Sequence, residues 1–139
     1  MARKIRDIMT GSPTSVSPEL DIVTVARAMR DEDIGAVLVA EGDDMKGLVT
    51  DRDLVIRGLA SGDDPKQLKI GGLASSATAT IGPDDTTDKA AQIMRERAVR
   101  RLPVVEDGRP VGIVSIGDLA VEKDAESALA DISASRPNT

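Results

Sequence analysis

Two short motifs in the chain combine a hydroxyl side chain with an aspartate three positions later. The first reads Gly47-Leu48-Val49-Thr50-Asp51-Arg52-Asp53; the second, 65 residues further on, reads Gly112-Ile113-Val114-Ser115-Ile116-Gly117-Asp118. A carboxylate in this place can accept hydrogen bonds from both hydroxyls of a ribose, as acidic residues do in dinucleotide-binding folds. A hydroxyl at a helix N-terminus, beside the backbone amides and the positive end of the helix dipole, suits a phosphate. These residue types at this spacing therefore favour nucleotide binding.

The same motif also has a purely structural interpretation. A hydroxyl at the N-cap and an acceptor at the third helical position form a capping box, in which each side chain bonds the backbone amide of the other residue. Capping boxes prefer Glu or Gln at the third position, so the Asp found in both motifs fits this interpretation less well. Because the motif recurs at equivalent places in the two copies, the ligand interpretation is favoured. The sequence alone leaves both interpretations open.

The motifs belong to an internal repeat. A shift of 65 residues aligns residues 18–54 with residues 83–119 without a gap, and the identical pairs include Met29/Met94, Gly47/Gly112 and Asp53/Asp118. Two copies are fewer than the three or more that a solenoid needs, which favours a closed pair. An apolar stripe at helical spacing is predicted in each copy. It comprises Ile22, Val25, Ala26 and Met29 in the first copy and Thr87, Ala90, Ala91 and Met94 in the second.

Each copy is predicted to contain an extended piece, a helix, two strands joined by a polar turn, and a second helix. The extended pieces are residues 15–16 and 78–81, and the first helices can begin at Pro18 and Pro83. The hairpin strands are residues 36–40 with 47–49 and residues 102–105 with 111–114, and the second helices start near Asp51 and Ile116. The fold class is therefore α/β (α+β), with two β-α-β-β-α repeats packed as a pseudo-twofold pair. We expect repeat 1 with its lead-in over residues 1–64, repeat 2 over residues 65–124, and a tail over residues 125–139, in which Ala125, Leu129 and Ile132 fit an extension of the last helix.

Composition disfavours most other functions. The net charge of −6 and the absence of Phe, Tyr and Trp argue against nucleic-acid binding, which uses basic surfaces and aromatic stacking. The absence of His and Cys removes the usual catalytic nucleophile pairs and the His or Cys ligands of zinc. No apolar run has the roughly 18 residues of a membrane span, and no secretory signal is evident, so we expect a cytoplasmic protein. A Mg²⁺ enzyme using Asp51 and Asp53 is a weak alternative, because the helix dipole already explains acids in a first turn.

Each repeat contains an extended piece, a helix, two strands and a helix. Its closing motif reads Gly, two apolar residues, Thr or Ser, any two residues and Asp. This arrangement resembles the CBS domain, named after cystathionine β-synthase. CBS domains occur in tandem as Bateman modules. The segment Ile5-Arg6-Asp7-Ile8-Met9-Thr10 is similar to the family's lead-in helix, and Arg101-Leu102-Pro103-Val104-Val105 to its base-contacting strand. The resemblance covers about residues 4–121, as in the small stand-alone two-CBS proteins of actinobacteria.

The resemblance implies a non-catalytic sensor that binds AMP, ADP, ATP or S-adenosylmethionine in clefts between the two repeats, with no other cofactor. It also implies a homodimer, an unidentified protein partner, and no nucleic acid or membrane partner. Implied contacts are Asp53 and Asp118 to ribose hydroxyls, Thr50 and Ser115 to phosphate, and Val37, Leu38, Val39, Leu102, Pro103 and Val104 to the base.

This sequence departs from the family pattern in ways that make the two sites unequal. Leu38 stands where the family often has Pro, and Gly117 stands opposite the basic Arg52. The basic Arg101, next to Arg100, is a further candidate near the second site. The alternative function is a ligand-free CBS dimer that serves structure or protein interaction.

Overall fold

The computed structural model describes residues 3–74 and 79–123, whose contacts divide into two compact units. The first-repeat unit contains residues 14–74, and the second-repeat unit contains residues 3–13 together with residues 79–123. The predicted tail over residues 125–139 lies outside the described residues. In chain order, the elements are a 3-10 turn (Ile5–Asp7), β1 (Thr10–Gly11), β2 (Ser15–Val16), α1 (Ile22–Glu32), β3 (Ala36–Glu41), β4 (Asp44–Thr50), α2 (Asp51–Asp53), a π-helical segment (Leu54–Gly58), a second 3-10 turn (Leu59–Ser61), a third 3-10 turn (Ile70–Gly72), α3 (Thr87–Arg97), β5 (Arg101–Glu106), β6 (Arg109–Ser115) and α4 (Ile116–Lys123).

Each unit contains a three-stranded sheet, with strand order β2-β3-β4 in one unit and β1-β6-β5 in the other. The predicted hairpins are confirmed, with the same register in both: Val37 faces Val49, and Leu102 faces Val114. The alternation of the strand side chains places one face of each sheet in an apolar core, as a half-buried hairpin requires. The predicted fold class is therefore confirmed for both repeats.

The first helix of each repeat begins later than the prolines suggest. Asp21 caps α1 by accepting a hydrogen bond from Thr24 N at 2.8 Å, and Thr86 caps α3 by accepting from Lys89 N at 3.2 Å. Pro18 and Pro83 lie in the turns that precede these caps, so placing the helix starts there was wrong. The side-chain oxygens of the caps satisfy amides that the first turn leaves unpaired, and this fixes the start.

The predicted apolar stripes are largely confirmed. Both Met29 and Met94 are 5% exposed and pack in the cores, as expected of flexible gap-filling side chains. Ala26 is the exception, because it lies exposed on the surface of α1, whereas its counterpart Ala91 is half-buried. A small side chain next to the stripe defines the edge of the buried face, and periodicity alone does not place that edge.

The second helix of the first repeat is irregular. After α2 the chain continues as a π-helical segment over Leu54–Gly58 and a 3-10 turn over Leu59–Ser61. Gly58 permits this packing, because a Cβ there would lie 2.9 Å from Ile22 Cδ1. The irregular segment leaves Val55 and Ile56 about half exposed. In the described part of the chain, no helix has the length and apolar character required to cross a bilayer.

The lead-in differs from its predicted form. A helix was expected over residues 5–10, but the segment makes one 3-10 turn and then enters β1 at Thr10. There it pairs antiparallel with β6, with Thr10 opposite Ile113. The predicted boundaries assign the lead-in to the first repeat, whereas its contacts build it into the second-repeat unit. Of the second predicted extended piece, Ile81 forms a parallel bridge to Val104, and Thr78 lies outside the described residues.

Candidate functional site

Both hydroxyl–Asp motifs lie where the second hairpin strand passes into a helix. In the first repeat, Asp53 Oδ2 accepts from Thr50 N at 2.9 Å and from Thr50 Oγ1 at 3.0 Å, while Asp53 N donates to Thr50 Oγ1 at 3.2 Å. In the second, Asp118 Oδ2 accepts from Ser115 N at 2.8 Å, and Asp118 N donates to Ser115 Oγ at 3.1 Å. The four side chains are half-buried. The two repeats thus hold the same pair of groups in the same geometry.

These bonds form a complete capping box in each repeat, so the expectation that Asp fits this role less well than Glu or Gln was wrong. Asp reaches the N-cap amide because the strand-to-helix turn brings the two residues close together. One carboxylate oxygen is used in each box. In the part of the chain that the structure describes, the other oxygen of Asp53 and of Asp118 accepts no hydrogen bond, and it is the atom available to a ligand hydroxyl.

The helix N-termini differ in how many amides they leave free. In the first repeat, Asp51 N donates to Gly35 O at 3.0 Å and Arg52 N donates to Asp51 Oδ1 at 2.8 Å, so with Asp53 N all three leading amides are paired. In the second repeat, Ile116 N donates to Arg100 O at 2.9 Å, but Gly117 N has no acceptor among the residues described. The expected free amide is therefore found in the second repeat and not in the first.

The six residues expected to contact a base divide between the two faces of each sheet. Val37, Val39, Leu102 and Val104 belong to the apolar cores. Leu38 and Pro103 occupy equivalent register positions on the opposite face, the face that also carries Thr50 and Ser115. Backbone groups of this pair are already bonded, since Leu38 N donates to Thr14 O and Pro103 O accepts from Ile81 N. Leu38 and Pro103 are therefore the two of the six that lie outside these cores, and both are nevertheless buried, Leu38 completely.

Charged groups distinguish the two motifs. Arg101 lies directly opposite Ser115 in the β5–β6 ladder, where the first repeat has the neutral Ala36 opposite Thr50. Burial raises the pKa of Asp118, and the Ser115 hydrogen bonds and the charge of Arg101 oppose that rise in part. In the first repeat the nearest basic candidate, Arg52, is exposed on the helix. The second motif therefore combines a partly desolvated acid, a cation and a free amide.

A cavity of about 280 Å³ lies in the first-repeat unit, but it does not include the motif. Its lining is apolar apart from two arginines and comprises Ile22, Val23, Ala26, Arg27, Arg30, Leu54, Leu59 and Pro65. The hydroxyl–Asp pair does not contribute to this lining, and the chemistry of the motif, not the cavity, identifies the candidate site. Sequence periodicity did not indicate this cavity, because the exposed Ala26 was assigned to the buried stripe.

Comparison with known proteins supplies the family. The CBS domain family profile matches residues 5–59 and 70–123. The CBS domain-containing protein YhcV of Bacillus subtilis is 37% identical over 133 residues, covering 93% of this chain and 94% of YhcV. Hypoxic response protein 1 of Mycobacterium tuberculosis is 39% identical over 116 residues, and the match covers 83% of this chain and 81% of the mycobacterial protein.

Solved structures agree on the fold. The structure of Hypoxic Response Protein I, which has two coordinated zinc ions, superposes with a TM-score of 0.75 at 36% identity over 86% of this chain and 98% of that chain. The CBS domain pair of protein MJ0100, solved with 5′-methylthioadenosine and S-adenosyl-L-methionine, gives a TM-score of 0.79 at 22% identity over 91% of this chain and all of that pair. With two matched family segments that contain both hydroxyl–Asp motifs, the chain belongs to the CBS domain family.

Proposed function

We propose that the chain is a non-catalytic regulatory module that binds an adenosyl ligand, namely AMP, ADP, ATP or S-adenosylmethionine, at its hydroxyl–Asp motifs. The observation that carries the proposal is the repeated pair of a hydroxyl and a half-buried carboxylate, in which one oxygen of each carboxylate accepts no hydrogen bond from the residues that the structure describes. A ribose diol can donate to that oxygen, and a phosphate can accept from the neighbouring hydroxyl and basic group. Capping and ligand binding are thus compatible roles for the same aspartates.

The second motif is the better anion site of the two. Ser115 and the Gly117 amide, which has no acceptor among the described residues, provide two donors at a helix N-terminus, and Arg101 lies across the ladder from the hydroxyl. The first motif offers Thr50 and the exposed Arg52, with its leading amides already bonded inside the protein. We therefore propose unequal occupancy, with the tighter site in the second repeat.

The proposed ligand class is taken from the complex of MJ0100, whose CBS pair was solved with two adenosyl compounds. Without aromatic residues in the chain, the adenine ring would pack against aliphatic side chains. Leu38 and Pro103 are the candidates on the sheet face that carries the motifs, and contact with a base requires that these buried side chains become exposed. Zinc, found in the mycobacterial relative, is not part of the proposal, because the chain contains neither His nor Cys. Within the described residues there is also no cluster of three or more acidic side chains suited to a metal.

We further propose that the module acts as a homodimer that signals to a protein partner. Val55, Ile56 and Leu59, each more than half exposed, form an apolar surface on the irregular helix of the first repeat. Exposed apolar patches of this kind mark protein interaction surfaces. The same surface supports the second candidate function, a ligand-free interaction module. The cytoplasmic location stays a prediction from the sequence.

Two matched substitutions test nucleotide binding. Asp118→Asn removes the charged acceptor for a diol, so the affinity for ATP or AMP should fall about 5- to 150-fold, the equivalent of 1–3 kcal/mol. Asp21→Asn is the control, because Asp21 also caps a helix through its carboxylate but lies outside the motifs. Titration calorimetry should show the loss for Asp118→Asn alone. Equal loss in both variants, or no loss in Asp118→Asn, would contradict a ligand role for Asp118.

A further inference from the structure

The cavity of about 280 Å³ in the first-repeat unit has an amphipathic lining. Six of its eight lining residues are apolar, and the other two are the arginines Arg27 and Arg30 on α1. Among the residues that the structure describes, no acidic side chain contributes to the lining. A mostly apolar pocket with a few polar groups of one kind is typical of a site for a small molecule. The charge of these groups indicates an anion.

The irregular helix that follows Asp53 forms the wall opposite α1. Leu59 N donates to Leu54 O, which is the i→i+5 bond of a π-helical turn. In a regular α-helix these two leucines would lie about 140° apart around the axis, whereas in this chain both line the cavity. Gly58 lets the turn approach α1 closely, because a Cβ there would lie 2.9 Å from Ile22 Cδ1. Single π-helical turns occur frequently at functional sites, and this one shapes the cavity.

The internal repeat shows that the fold does not require this lining. In the second repeat, 65 residues further on, Asp88 stands in the place of Val23 and Gln92 in the place of Arg27. Both repeats nevertheless form a first helix of the same length, 11 residues in α1 and in α3. The combination of apolar side chains with an arginine is therefore a property of the first repeat alone, and helix formation does not account for it.

The two arginines differ in their availability to a ligand. Arg30 Nε contacts Asp31 Oδ1 at 2.9 Å in an exposed ion pair. Arg27 makes no ion pair or hydrogen bond with any residue that the structure describes, although the chain as a whole carries a net charge of −6. The planar guanidinium group donates through a rigid fork that matches the two oxygens of a carboxylate. Arg27 is therefore the group at this cavity that is suited to a carboxylate.

We propose that the cavity binds a small aliphatic carboxylate. The aliphatic chain of the ligand lies between α1 and the irregular helix, and its carboxylate is bound by Arg27. At roughly 30 Å³ for each water-sized group, the volume of about 280 Å³ holds on the order of ten non-hydrogen atoms, the size of octanoate. This site is distinct from the hydroxyl–Asp motifs, so the inference does not depend on nucleotide binding, and its tests are made without a nucleotide.

Titration of the full chain with octanoate, followed by calorimetry and by methyl NMR, tests the cavity. We expect saturable binding, with shift changes confined to the methyl groups around the cavity, such as those of Ile22, Leu54 and Leu59. Ala26→Leu fills the cavity from an exposed position and should weaken the binding at least about tenfold, while the melting curve verifies that the variant is folded. Absence of saturable binding at millimolar octanoate, including the case in which a second copy of the chain covers the cavity, would overturn the proposal.

A charge substitution tests the role of Arg27. Arg27→Gln gives the first repeat the residue that the second repeat has at the equivalent position, so it suits the helix. It should weaken the binding of octanoate about three- to tenfold and leave the binding of the uncharged 1-octanol unchanged, because only the carboxylate contacts the guanidinium group. Arg97→Gln is the matched control, since it removes the same charge from an exposed position on α3. Equal weakening by both variants, or octanoate binding that Arg27→Gln does not change, would overturn the proposal.

Discussion

At the residue scale, the capping role of Asp118 and its proposed role as a ligand contact have different electrostatic requirements. As a cap it is paired with Ser115, but its burial raises its pKa, so the charged form is disfavoured by desolvation. A ligand that donates hydrogen bonds to the carboxylate would offset this cost, since such bonds favour the charged form. The residue is therefore better satisfied with a ligand bound than without one.

The raised pKa of Asp118 predicts a pH dependence of stability. The folded protein binds the Asp118 proton more tightly than the unfolded protein does, so the group's stabilising contribution is present below the unfolded pKa of about 3.8 and is lost as pH rises through the folded pKa. Asp118→Asn removes this loss. The free energy of unfolding of the variant, compared with that of the wild type, should therefore increase from pH 3 upward, as measured by urea denaturation at each pH.

The capping residue Asp21 supplies the opposite sign as a control. Its hydrogen bonds from Thr24 lower its pKa, so its contribution is present above the unfolded pKa of about 3.8 and is lost as pH falls through the folded value. Asp21→Asn should therefore lose more stability at neutral pH than at low pH. If both variants differ from wild type by an amount that is constant with pH, the electrostatic account of these two caps is wrong.

At the element scale, the hairpins could be predicted from the sequence, but the packing of the lead-in over residues 5–10 could not. Alternating apolar residues and a turn such as Asp107-Gly108, with φ of 51° and 78°, specify a hairpin locally. The choice of sheet that Thr10 joins depends on residues about a hundred positions away, and no local pattern encodes it. The irregular segment after Asp53 was missed for a related reason, because the close approach of Gly58 to Ile22, where a Cβ would lie 2.9 Å from Ile22 Cδ1, joins residues far apart in the sequence.

The 3-10 turn over Ile70–Gly72 offers a sharp test of packing at this scale. Gly71→Ala would place a Cβ 2.8 Å from Pro18 Cβ and 3.1 Å from Pro18 O, so we expect it to destabilise the protein by about 1–3 kcal/mol. Gly72→Ala is the adjacent control, because no atom lies within 4 Å of its Cβ position. It should be neutral or stabilising by about 0.4–1 kcal/mol. Urea midpoints for the two variants would distinguish them, and a Gly71→Ala variant as stable as Gly72→Ala would contradict the described packing.

At the scale of the whole molecule, the second-repeat unit is built from two stretches of the chain, residues 3–13 and residues 79–123. Because Ile5 of the first stretch is fully buried in the core that the second stretch forms, both stretches should unfold in one cooperative transition. Hydrogen exchange of the two stretches should give the same midpoint in urea. Two separated midpoints, one for each stretch, would contradict this composition of the unit.

Recognition of the family from sequence succeeded because the motifs recur at a fixed spacing and the composition excludes competing chemistry. What the sequence could not supply was the state of individual atoms at the site. The leading amides of α2 are bonded, whereas Gly117 N has no acceptor in the part of the chain that the structure describes, and this difference depends on Arg52 and on the acid that precedes it. The inequality of the two motifs was predicted, but its structural basis required coordinates.

The central claim is that this CBS pair binds an adenosyl ligand, and its composition makes the claim simple to test. Without Trp, Tyr, Phe or Cys, the polypeptide absorbs almost nothing at the absorption maximum of adenine. The measurement is the near-ultraviolet spectrum of the purified protein before and after denaturation and filtration, followed by calorimetric titration of the stripped protein with AMP, ADP, ATP and S-adenosylmethionine. We predict an adenine band that passes into the filtrate, or saturable heat with at least one of the four that is weakened by Asp118→Asn. A flat spectrum together with no heat from any of the four, at ligand concentrations on the order of millimolar, the weak end of specific affinities, would contradict the account.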